Sequence, residues 1–136
     1  PKKEPWGKNA RMMLLGVQQE QGNWALVQEI GRGLRIEFPE EEDWWVSDAY
    51  ATRRCESIES AREILLEGLV LHEGSSIIRY NLACYACVLE NLGECMDYLN
   101  EAVRMDDKYK LMAVEDDDLE KVRDDLINLG WGEMLV

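Results

Sequence analysis

The sequence predicts an all-α fold: an α-solenoid of three helix-turn-helix repeats closed by a C-terminal capping helix. Three observations predict it. Asn23, Ser57 and Asn91 stand 34 residues apart, and each is a residue type that starts helices. The phrases that end each period, GLRIEFPE, GLVLHEGS and AVRMDDKY, recur in the same register. Near the end, Leu119, Val122, Leu126 and Leu129 fall at i, i+3, i+7 and i+10, which is one face of a helix.

The first period covers about residues 8–41. Its upstream helix, roughly 9–21, carries the apolar pair Leu14–Leu15. Gly22 breaks the chain, Asn23 caps the next helix, Ile30 and Leu34 supply its core, and Pro39 stops it. The second period, about 42–75, opens on Glu40–Asp43, acidic residues that favour a helix start. Its first helix, roughly 43–55, has Asp48–Ala49 where the other periods carry an apolar or small pair. Ser57 caps its second helix, with Ile64 and Gly68 at core positions.

The third period, about 76–109, has Leu82–Ala83 on its first helix, roughly 76–90. Gly93 is expected to help break the chain, Asn91 caps, and Tyr98 and Ala102 are core. Asp116, Asp117 and Asp118 suit the positive N-terminus of a capping helix over about 116–129, and Gly130 ends it. The apolar tail Trp131–Val136 either packs back on that helix or lies exposed.

A length of 136 residues reads most simply as one domain, 1–136. With 46% hydrophobic and 32% charged residues and only 3 Pro, the chain is globular and helical rather than disordered. A net charge of −13 makes nucleic acid a poor partner, because that binding rests on cationic faces. Apolar runs far shorter than the ~20 residues of a transmembrane helix exclude a spanning segment of that type, so no membrane partner is expected. No secretory pattern is visible. Cys55, Cys84, Cys87 and Cys95 then read as reduced thiols of a cytoplasmic protein.

The third period, RYNLACYACVLENLGECMDYLNEAVRMDDKY, resembles the tetratricopeptide repeat family, whose units are 34-residue helix-turn-helix pairs. Leu82, Ala83, Leu99 and Ala102 stand at that family's packing positions. So do Ala61, Leu65 and Gly68 in the second period, with Trp45 at the family's tryptophan, and Leu14, Gly22 and Pro39 in the first. The resemblance spans about residues 8–109. The chain departs from the pattern at the turn glycine, which is Glu56 and Glu90, and at the terminal proline, which is Glu73 and Asp107. Val27 and Gly31 also replace a small and a bulky residue in the first period.

The resemblance implies a non-catalytic scaffold that binds a protein or peptide in a concave groove lined by the first helix of each repeat. Carried over, the groove holds Met12 from the first repeat and Val46, Tyr50 and Arg53 from the second. The third gives Ile77, Tyr80 and Cys84, with Asn81 at the rim. Each row follows helical spacing. Tyr50 and Tyr80 suit aromatic anchors, Asn81 suits a peptide backbone, and Arg53, Arg54 and Arg79 make a basic spot on an acidic chain. Met12 and Gly16 stand where one version of the fold carries the Lys and Asn of a carboxylate clamp, so that clamp is not expected.

No cofactor, metal or catalytic group is expected. His72 is the only histidine and sits at a helix end, where a cation suits the dipole. Two alternatives stand beside the scaffold reading. One is a self-associating structural homo-oligomer. The other is a metal or redox protein using Cys84 and Cys87, although mid-helix thiols lack the helix N-terminus that activates redox cysteines.

Overall fold

A computed structural model describes residues 7–133. Among them every regular element is helical and none is a strand. The first helices, α1 (Lys8–Glu20), α3 (Glu42–Cys55) and α5 (Ser76–Val88), begin 34 residues apart. Their successors, α2 (Trp24–Glu37), α4 (Ile58–Leu71) and α6 (Leu92–Met105), begin and end 34 residues apart. Among the described residues no helix is long and apolar enough to cross a membrane.

Capping chemistry explains the phase. Ser57 Oγ accepts from Ser60 N at 3.0 Å, and Asn91 Oδ1 accepts from Glu94 N at 3.2 Å. Each satisfies an orphan N–H of the first turn. Asn23 holds the same N-cap position without a side-chain cap bond; its amide donates instead to Gln18 Oε1 at 2.6 Å.

The turns before α2 and α6 share one geometry. Gly22 N and Asn23 N bond to Gln19 O and Gln18 O at 3.1 and 2.9 Å. Glu90 N and Asn91 N bond to Cys87 O and Ala86 O at 3.0 and 2.8 Å. Both turns need a left-handed residue, Gly22 at φ 73° and Glu90 at φ 65°. Gly93, expected as a breaker, lies inside α6, and Glu90 makes the turn. The third turn accepts Glu56 because φ there is −126°. A side chain costs about 1 kcal/mol in the left-handed region. Glu90→Gly is therefore expected to raise the unfolding free energy by about 0.5–1 kcal/mol in a urea titration. Its exposed ion pair with Lys121, at 3.6 Å, contributes little against that. An unchanged or lower midpoint would refute the assignment.

The helices fall into two compact units, Pro1–His72 and Glu73–Val136, where length alone suggests one domain. In the first unit α2 packs on α1 and α3, and α3 on α4. Leu15, Val27, Leu34, Trp44 and Ala51 form a buried cluster, with Trp24, Ile30 and Phe38 against it. Trp45 is buried on α3, donates its indole N–H to Pro39 O at 2.9 Å, and lies so close to Gly68 of α4 that a Cβ there would meet the ring at 3.0 Å.

Asp48, at a position that is apolar in the other periods, is fully buried on α3. Its carboxylate accepts from Arg35 Nε at 2.7 Å, Arg32 Nε at 3.2 Å and Thr52 Oγ1 at 3.0 Å. Thr52 in turn accepts from Arg32 Nη2 and Gln28 Nε2, each at 3.0 Å. One acid thus gathers three polar residues of α2 onto α3.

In the second unit α5 packs on α6, with Leu82, Ala83, Leu99 and Ala102 fully buried. The single capping helix expected over 116–129 is instead three pieces. These are α7 (Tyr109–Glu115), a 3₁₀ helix (Asp117–Val122) and α8 (Arg123–Asn128). Asp116 breaks the run: its backbone is extended, and its Oδ1 accepts from Asp118 N at 3.0 Å. Arg123 then reaches back, donating to Val114 O at 2.8 Å and Asp116 O at 3.0 Å, which satisfies carbonyls at the end of α7.

Leu119, Val122 and Leu126 are buried as the spacing predicts, but Leu129 is exposed. The chain turns at Gly130, φ 84°, and Trp131 is buried. The end of the tail, 134–136, lies outside the described residues.

Candidate functional site

The groove residues meet different fates in the two units. In the first, Met12 is exposed on α1, and Val46, Tyr50 and Arg53 are half-buried along α3. Arg53 already has an interaction partner. Tyr50 meets the Trp24 ring edge-on, with centroids 5.3 Å apart and planes at 71°. The guanidinium of Arg54 lies 4.8 Å from the Trp24 ring centroid and 5.2 Å from that of Tyr50. Arg54 Nη2 donates to Tyr50 Oη at 3.0 Å. Trp24 belongs to this group because α2 packs on α3, a relation that spacing along one helix does not reveal.

In the second unit Ile77 and Asn81 are half-buried, and the Asn81 amide donates to Ile77 O of its own helix at 2.9 Å. Tyr80 and Cys84, expected as open groove residues, are buried instead. The C-terminal segment covers them. The 3₁₀ helix packs on α5, Tyr109 stacks on Tyr80 at 4.9 Å, and Tyr80 Oη donates to Asp116 Oδ2 at 2.8 Å. Burial first, then the nearby Cys84 and Asp116, pushes the Tyr80 hydroxyl up, so it stays a proton donor. Arg79, expected in a basic spot, donates to Glu101 Oε1 at 2.9 Å and to Ser75 O at 3.1 Å, and its charge is matched locally.

Cys84 and Cys87 take separate partners. Cys84 Sγ lies 3.7 Å from Asp116 Oδ2, whereas Cys87 meets Cys95 across α5 and α6. Cys84, Asp116 and Asp118 bring one ligand atom each within 4.8 Å of one another. Both Asp116 oxygens already accept hydrogen bonds, from Tyr80 and from the Asp118 amide. Burial first, then the negative Asp116 and Asp118, pushes the Cys84 thiol well up. A metal ligand needs the thiolate, which these surroundings oppose. The cluster reads as the cap that docks the C-terminal segment. His72, at the C-cap of α4, places Nε2 at 2.9 Å from Pro39 O.

All four cysteines are free, with Cys55 exposed and the other three buried. One thiol is expected to react quickly with an aromatic disulfide reagent in native buffer, and all four in denaturant. Rapid native reaction of a second thiol would contradict the packing. Burial, then Cys87, pushes the Cys95 thiol from 9.0 up to about 12. Between those values the unfolded chain has released a proton that the folded chain keeps. The thiol's contribution to stability is therefore whole below pH 9.0 and lost as pH rises toward about 12. Cys95→Ala is expected to flatten that alkaline decline in a denaturation series.

Compared with known proteins, the chain matches no family model and no curated protein sequence.

Proposed function

We propose that the chain is a non-catalytic, tetratricopeptide-like scaffold, a solenoid of three helix pairs closed by its C-terminal segment, which binds a protein or peptide through the faces of its first helices. The observation that carries this reading is the shared 34-residue phase of helix starts: Lys8, Glu42 and Ser76, then Trp24, Ile58 and Leu92. A helix pair repeated in phase builds an extended surface rather than a closed catalytic cleft. The half-buried Val46 and Tyr50 of α3 supply that surface with apolar area and a hydroxyl. Tyr80 and Cys84 support the fold in this reading, and Ile77 and Asn81 remain candidates for contact. The four free thiols fit a reducing, cytoplasmic setting.

A random dodecamer display library selected on the protein tests the proposal. Selection is expected to enrich a shared motif. Tyr50→Ala should weaken the synthetic motif peptide at least about thirtyfold, the equivalent of a 2 kcal/mol anchor. Circular dichroism and urea titration establish that the variant is folded. No enrichment over a control helical protein, or an unchanged affinity for Tyr50→Ala, would overturn the reading.

A further inference from the structure

Arg54 is held in place by rings rather than by an acid. Its guanidinium lies over the rings of Trp24 and Tyr50, at 4.8 and 5.2 Å, and Tyr50 Oη accepts one of its hydrogen bonds at 3.0 Å. A guanidinium has five N–H donors, so that bond leaves most of the fork for another acceptor. Elsewhere Arg11, Arg35 and Arg79 each meet a carboxylate within 3.0 Å. Among the described residues Arg54 has no carboxylate partner, although the chain carries 28 acidic residues against 15 Lys and Arg. Its side chain is exposed, and Trp24 and Tyr50 beside it are only half-buried.

We propose that Trp24, Tyr50 and Arg54 form a preorganised receptor for one aspartate or glutamate side chain of an extended peptide, with a neighbouring apolar residue of that peptide laid against the exposed ring surface. The proposal rests on the scaffold reading and names the chemistry of its partner. The stack fixes the guanidinium beforehand, so little rotamer freedom is lost when a carboxylate arrives. Charge complementarity selects an anion, and the −13 background limits which one. A nucleic acid, a run of acids or a second copy of this chain brings many negative charges against that field and is repelled. A single carboxylate beside an apolar residue gains the local cation and adds little repulsion.

The test uses the full chain and peptides chosen from the dodecamer library, synthesised with acetylated and amidated ends so that no terminal carboxylate contributes. The enriched motif is expected to contain Asp or Glu next to an apolar residue. Replacing that acid by its amide should weaken binding about tenfold in 50 mM salt, and less in 500 mM, because the site is exposed and screened. Arg54→Gln should cost the same factor, and the amide peptide should lose nothing further on that variant. Arg54→Lys should recover only part, since a lysine lacks the planar fork.

A motif that binds but lacks an acid, or affinities indifferent to Arg54→Gln, overturns this proposal and leaves the scaffold reading intact. No enrichment at all overturns both. Self-association that Arg54→Gln abolishes, seen by light scattering, would put a second copy at the site and overturn the peptide assignment.

Discussion

Asp48→Ala is expected to lower the unfolding free energy by about 3 kcal/mol, near the bottom of the range for breaking a buried ion pair. Asp48 is wholly buried, while the side chains of Arg32 and Arg35 keep 38% and 19% of their exposure. The arginines left behind can therefore recover water, which keeps the loss from reaching the top of that range. Thr52 is 1% exposed and would lose the acceptor of its hydroxyl. An exposed ion pair contributes about 0–1 kcal/mol, so the two descriptions separate cleanly. A urea midpoint that moves by the equivalent of less than about 1 kcal/mol would show that the network contributes no more than a surface pair.

Ala83→Trp and Ala102→Trp are expected to be similarly severe. Ala83 lies on α5 and Ala102 on α6, both are fully buried, and the two helices pack on each other. Adding a few methylenes to a packed core costs about 1–3 kcal/mol, and an indole adds far more volume than that. Each variant should melt at least about 10 °C lower, if it folds at all, on the scaling for a chain of this size. The exposed Met105, near the end of α6, provides the control: Met105→Trp should melt within about 2 °C of the parent. A parental melting temperature for either alanine variant would mean that the register is misread.

The second-unit half of the groove was the part of the candidate site that spacing could not place. Helical periodicity puts Ile77, Tyr80 and Cys84 on one face of α5, but it does not say what lies on that face. The chain's own Tyr109 and Asp116 do. A face that looks available to a ligand along one helix was claimed by a segment some thirty residues further on, because burying two tyrosine rings against each other removes more apolar surface from water than leaving them apart. Arg54 followed the opposite course. Adjacent to Arg53 in sequence, it reads as one more surface cation, and only the approach of α2 to α3 supplies the Trp24 ring that holds it.

The local grammar was legible from residues alone. Cap residues, turn positions and the 34-residue phase are set by interactions within a few residues of each other, so Ser57 and Asn91 could be named as caps before any packing was known. Buried small residues such as Ala61, Gly68, Ala83 and Ala102 were legible for a related reason: close helix pairs tolerate little else. Asp48 was visible as an irregularity but not as a hub, because its meaning depends on Arg32 and Arg35 of the preceding helix. The break at Asp116 was hidden as well, since the helical pattern of Leu119, Val122 and Leu126 survives it. What the sequence determined by itself was therefore the set of helices in the paired periods and their starts, through short-range hydrogen bonding and hydrophobic spacing. What only the tertiary structure decided was which polar and aromatic groups meet across helices, because those meetings are fixed by packing rather than by distance along the chain.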